Sequence, residues 1–339
     1  MPTIKYSLFN ITSVVLTIML SAGLVGAEDT ANWQRGPAFA DPDDLLQKLP
    51  PDWKNKPVQY SPKDKGADLV VVLDQQSYLA LVNSIDEYAK DHNLKINVHE
   101  GTCGISQGRL LRKEADIGGY CCPPGRLDRL PGLRFHTTGI APVAVITHPD
   151  NPVDRITEEE ARAIFAGLVT RWGEVEDERS RSINQSRIQP IARLHCAVRP
   201  GHWRLLLDNE DLFGPVIQEV GAIPDMLSRV ARDQHAIGFA VLSMIHHYRD
   251  QYPVKTLKID GHAPSDMNYL LDAKYPMYRT YSLTTWDTPN IASTTSRELV
   301  EYLLQQVEKL SPKINIIPSS QLKQTGWRFK EDELIGEPK

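Results

Sequence analysis

The sequence predicts an α/β protein built on a mostly parallel sheet. Strand-like apolar runs alternate with helical periods along most of the chain, which is the pattern of strand–helix–strand units. All four cysteines fall in three short loops that follow strands, where ligands of open α/β sheets bind. No internal repeat and no low-complexity segment interrupts the alternation.

In order, 28–65 is rich in Pro, Asp and Lys, contains Pro50-Pro51 and has no sustained period, so it reads as an irregular extension. The run 68–73 predicts a buried strand, 78–91 an amphipathic helix and 95–99 a second strand leading into the first cysteine loop. A helix over 105–113 and a short strand over 115–118, ending at Cys121, follow. A long apolar strand is expected over 140–147, then a helix over 157–166, capped by Thr157 with Glu160 three residues on. Strand 188–193 runs into the third cysteine loop, a helix begins at 203–207, and 236–240 and 254–259 are further strands. A charged amphipathic helix over 297–310 lies near the end.

The N-terminus resembles an export signal. Lys5 precedes an apolar run over 11–25, and Val25-Gly26-Ala27 forms a small-residue cleavage site before Glu28-Asp29. The run is shorter than the roughly 20 residues of a membrane-spanning helix. No cysteine follows it to accept a lipid. The expectation is a signal peptide over 1–27 and a periplasmic mature chain with no lipid anchor. About 310 residues would remain, which suggests two lobes. Apolar content of 41% and charged content of 24% are those of an ordinary globular protein. A net charge of −5 without a basic stripe argues against a nucleic-acid partner.

The cysteine loops are Gly101-Thr102-Cys103-Gly104-Ile105-Ser106, Gly118-Gly119-Tyr120-Cys121-Cys122-Pro123-Pro124, and Arg193-Leu194-His195-Cys196 running to Pro200-Gly201. Export permits disulfides, and an even number of cysteines allows two bridges. Against that, adjacent Cys121 and Cys122 pair with each other only under strain, and a chain of this size needs no staple. Both states stay open at this point. There is no Cys-x-x-Cys motif of a zinc ribbon or haem attachment.

Several segments in order resemble the phosphate-binding proteins of bacterial phosphate ABC transporters. They are Gly139-Ile140-Ala141-Pro142-Val143-Ala144-Val145-Ile146 followed by His148-Pro149-Asp150-Asn151-Pro152, the stretch from Ile156-Thr157 through Ile164-Phe165-Ala166-Gly167 to Arg171-Trp172-Gly173-Glu174-Val175, and Ala236-Ile237-Gly238-Phe239. Leu257-Lys258-Ile259-Asp260-Gly261-His262-Ala263-Pro264 and Tyr275-Pro276-Met277-Tyr278-Arg279 complete the set, which spans roughly 68–310. The resemblance implies a two-lobed periplasmic binding protein of type II, with mixed, mostly parallel sheets, a hinge and an inter-lobe cleft. It places one lobe at 66–142 and 240–339, the other at 143–239. Its ligand would be a small inorganic species, its partner an ABC permease or a sensor kinase, its state monomeric, and it would not be an enzyme.

Residue by residue, the resemblance is altered at the ligand loops. The first loop keeps an anion nest at a helix N-terminus, with Thr102 and Ser106 as donors, but Cys103 stands where the family has serine. A helix N-terminus lowers a thiol pKa, so Cys103 is expected as a ready thiolate. In the second loop Cys121, with Cys122 beside it, replaces the aspartate that accepts a proton from phosphate, and a thiol is a poor substitute for a carboxylate acceptor. In the third, Arg193 is kept and Arg199 follows, a pair suited to an oxyanion, while His195 and Cys196 replace a hydroxyl-rich run. Cys103, Cys121, Cys196 and His195 together suit a tetrahedral soft metal, and three sulfurs suit a metalloid such as arsenite. Three functions follow: binding of a thiophilic metal or metalloid, or of an oxyanion, for uptake or sensing; phosphate-type oxyanion binding with the cysteines paired as disulfides; or a metal-centre redox protein. No cofactor is certain, and a bound soft metal or metalloid is the one the loops suggest.

Overall fold

The computed structural model describes residues 39–43, 49–194, 206–207, 212–289 and 291–339. Its first strand, β1 (Leu69–Asp74), is buried at every position. Asp74 then caps α1 (Gln75–Asp91), its side chain accepting from the Gln76 and Ser77 amides. There follow β2 (Ile96–Gly101), α2 (Cys103–Leu111), β3 (Ile117–Tyr120), β4 (Leu133–Thr147), β5 (Arg155–Ile156), α3 (Glu158–Ala166), β6 (Gln189–Ala192), β7 (Gln218–Glu219), α4 (Ile223–Val230) and β8 (Ala236–Val241). The chain finishes with α5 (Leu242–Tyr248), β9 (Lys255–Thr256), β10 (Lys258–Ile259), α6 (Met267–Leu271), β11 (Tyr278–Trp286), α7 (Thr294–Ile314), β12 (Ile317–Pro318), α8 (Ser319–Gln324), β13 (Arg328–Lys330) and β14 (Glu333–Gly336). The capping box expected at Thr157 is formed, with Thr157 N donating to Glu160 at 2.7 Å.

The main sheet runs β2-β1-β3-β11-β4-β8-β6-β7. Its flanks are parallel: β1 with β2 and β3, and β6 with β7 and β8. The two long central strands are antiparallel to their neighbours. Strand β4 serves both halves, pairing with β11 over Leu133–Pro142 and with β8 over Val143–Thr147. Two chain passages, β4 outward and β8 back, therefore join the halves. The strand expected over 254–259 is broken into β9 and β10, which pair with β4 and β5 respectively. Most of the helix expected from 203 lies outside the described residues. Among the described residues no helix is long and apolar enough to cross a membrane.

The described residues before β1 form two short 3-10 turns, Trp53–Asn55 and Pro62–Asp64, and are docked. Trp53 is buried and its indole donates to the Leu111 carbonyl at 3.0 Å. Asp64 is also buried and accepts from Arg109, His99, Asn97 and Ser61. Burial opposes the Asp64 charge, yet these partners hold its carboxyl well below the usual carboxylate range. Lys113 closes the same region. Its ammonium lies 3.5 Å from the Trp286 ring centroid and 4.2 Å from that of Trp53, with 3% of the residue exposed.

Burial pushes the Lys113 amine down from 10.5 to about 8. The native state then releases a proton near pH 8 that the unfolded chain keeps until about 10.5. Between those values the unfolded state binds more protons, so stability rises with pH. The melting temperature of the wild type should therefore climb relative to Lys113→Met as pH goes from 8 to 10.5, measured by parallel thermal melts. A flat difference would show that the amine is not desolvated as its position requires.

Candidate thiol site

Two glycines make the site geometrically accessible. A Cβ on Gly118 would stand 2.5 Å from Leu110 Cδ1, and one on Gly119 would stand 3.1 Å from Leu73 Cα. Without side chains there, β3 lies against β1 and α2, and the chain leaves β3 at Cys121-Cys122 beside the first residue of α2, Cys103. Gly118→Val should overpack this layer and cost about 1–3 kcal/mol of stability, read from the urea midpoint.

The Sγ atoms of Cys103, Cys121 and Cys122 all lie within 4.8 Å of one another. Cys103 and Cys121 Sγ are 3.3 Å apart, a hydrogen-bond distance far beyond the roughly 2.05 Å of a disulfide. The Cys121 amide donates to Cys103 Sγ at 3.2 Å. Cys103 and Cys122 are each 1% exposed, and Cys121 is half-buried. From β11, buried Arg279 directs Nη1 at Cys121 Sγ (3.5 Å) and Cys122 Sγ (3.9 Å). A tetrahedral ion with bonds of about 2.3 Å sets its sulfurs about 3.8 Å apart. One sulfur pair stands about 0.5 Å inside that spacing and none lies more than about 1 Å beyond it, so a soft ion fits with small side-chain adjustments.

Hydrogen bonds to Cys121 and Cys122, together with burial, push the Cys103 thiol well up. This corrects the expectation of a ready thiolate: Cys103 is at the helix N-terminus, but sharing protons in a buried cluster outweighs the helix dipole. A hydrogen bond to Cys103 favours the Cys122 thiolate, but the bond to Cys121 and burial outweigh it and push that thiol up too. Burial opposes the Arg279 charge, yet Cys122 and Cys121 beside it keep the guanidinium firmly protonated. Asp74, at the end of β1, is pushed up to about 7 by burial and by the nearby Cys121. Tyr281 donates to Gln76 Oε1; burial first, then Cys121, push its hydroxyl up.

Other expected residues have other tasks. Thr102 is the N-cap of α2, accepting from the Ile105 amide at 3.3 Å. Ser106 is fully buried and donates to the Val72 carbonyl at 3.0 Å, tying α2 to β1 where a donor to a ligand was expected. Arg193 lies just beyond β6 and is half-buried. His195, Cys196 and Arg199 lie outside the described residues. Two residues were missed, Asp74 and Arg279. Asp74 carried a legible sign, an aspartate between a strand and a helix, while Arg279 is brought to the thiols only by the pairing of β11 with β3 and β4.

No protein-family model matches the chain. Among solved structures it is similar to a protein of Clostridium perfringens described as a phosphate ABC transporter substrate-binding protein, crystallised with phosphate. That likeness has a TM-score of 0.63 at 17% identity, over 74% of this chain and 98% of that one. It is also similar to an ABC-type phosphate transport receptor of Vibrio cholerae, with a TM-score of 0.58 at 17% identity, over 74% of this chain and 99% of that one. With its mixed α/β sheet and its two crossing strands, the chain has the two-lobed fold of the substrate-binding proteins of phosphate ABC transporters.

Proposed function

We propose that this chain is a non-enzymatic, exported solute-binding protein whose ligand is a thiophilic metal ion or metalloid held by Cys103, Cys121 and Cys122. The observation that carries the reading is the convergence of three sulfurs within 4.8 Å beside a buried guanidinium. Soft ligands of this kind are preferred by soft ions, and Arg279 offsets part of the negative charge that three thiolates would bring. A cation or metalloid is favoured over phosphate by the helix ends. An oxyanion site needs open N–H groups at helix N-termini. Here the chain's own Asp74 takes two of the amides at the start of α1, from Gln76 and Ser77, and sets a carboxyl where an anion would sit, while Thr102 takes the Ile105 amide of α2. Closure of the lobes on the ligand would present it to an ABC permease or a sensor kinase in the periplasm.

The test is a titration of the full mature chain, kept reduced, with arsenite, Zn²⁺, Cu(I) and inorganic phosphate in turn. Calorimetry reads affinity, and a thiol-trapping mass measurement reads how many thiols each ligand protects. Protection of Cys103, Cys121 and Cys122 by a soft ligand, with no heat from phosphate, supports the reading. Tight phosphate binding with all thiols still reactive sinks it in favour of an oxyanion binder. A mass short of two or four hydrogens after isolation from the periplasm would mean bridged cysteines, favouring the oxyanion reading with disulfides instead.

A further inference from the structure

A cavity of about 370 Å³ opens between α1, α5, α7 and β4. It shares only its inner wall with the thiol site, where the Tyr281–Gln76 hydrogen bond stands. Its size is that of a small-molecule site. The apolar part is supplied by Leu79, Met244, Val307 and Ile314. Leu79 is a large apolar side chain left 37% exposed, although it points into a concave surface. The charged part is of one sign: Arg249 and Lys313 line the cavity beside His246 and His247, and no carboxylate does among the described lining residues. Arg249 faces Asp250 at 3.7 Å, but both side chains are largely exposed and such a pair is weak. His246 is held in place by Asn315 Oδ1, 2.9 Å from its Nδ1.

We infer that this cavity is a binding site for an organic anion with an apolar body, a carboxylate of medium chain length. The apolar wall takes the chain, and the cationic rim takes the head group, which leaves both the exposed Leu79 and the unbalanced positive charge satisfied at once. An inorganic anion would leave the apolar wall uncovered, and a neutral apolar molecule would leave the rim unused. The inference does not depend on what the thiols bind.

Octanoate is the probe, titrated calorimetrically into the full mature chain, with octanol and acetate as comparisons. The expected result is a Kd of about 1 mM or tighter for octanoate, with octanol and acetate each at least about tenfold weaker. Lys313→Glu, at the rim, should weaken octanoate about tenfold. Ala80→Trp, which fills the cavity from α1, should abolish binding, with melting temperature checked in both variants. No octanoate binding to the wild type overturns the inference, as does equal affinity for octanol. So does wild-type affinity in Lys313→Glu, a surface change whose folding does not depend on the cavity.

Discussion

Cys103→Ser should lower the affinity for arsenite by roughly 10²–10⁴-fold while leaving the fold in place. Each thiolate after the first binds intramolecularly, at an effective concentration set by how tightly the protein holds it, and removing one of three loses that gain. Cys103 is the informative position because its sulfur lies 3.3 Å from Cys121 Sγ and also accepts from the Cys121 amide. Serine is close in size, and its hydroxyl can still accept that amide, so the local turn survives. Thr102→Ala is the companion variant. Losing its cap on α2 should cost about 1 kcal/mol of stability, yet it removes no sulfur and should leave arsenite affinity nearly unchanged. If the two variants weaken arsenite equally, the loop acts through its shape, and the thiol assignment is wrong.

The contrast between what was legible and what was not follows the physics of burial. β1 was readable because Val70, Val71, Val72 and Leu73 form an apolar run. α1 begins at Gln75, earlier than the expected 78, because Asp74 supplies a cap. β4 begins at Leu133 where 140 was expected, since its first turns of sequence mix Arg134, His136 and threonines that read as solvent-facing. β11 was not recognised as a strand at all. All nine of its residues are buried, but they are mainly Tyr, Thr, Ser and Arg, so neither apolar alternation nor an apolar run announces them.

The site divides along the same line. Residues whose chemistry is rare, the cysteines, could be singled out from sequence and assembled by the rule that ligands sit at strand ends. Cys122, whose direction on the chain could not be fixed beforehand, turns out to face the other two sulfurs. Asp74 and Arg279 are common residue types whose importance comes from where buried strands place them. A buried cation in contact with two thiols has no local sequence signature.

Arg279→Met should raise the apparent pKa of thiol ionisation in the cluster by about 1–3 units, the effect expected on removing an opposite charge at contact distance. The sign follows from which form the guanidinium favours. Arg279 attracts the thiolates at Cys121 and Cys122, so without it the protonated thiols gain and ionisation moves to higher pH. Because a soft metal takes thiolates, each unit of that rise costs about tenfold in affinity per proton released at fixed pH. Methionine keeps an unbranched apolar stem in the buried channel, which limits the packing loss that alanine would bring. The measurement is the pH dependence of thiolate absorbance in the ultraviolet, with the same titration repeated on Arg279→Lys. Lysine should restore part of the wild-type midpoint, because it keeps the charge while losing the planar fork. A midpoint unmoved in Arg279→Met would mean that the guanidinium balances other groups, and the charge-compensated thiol site would lose its cationic member.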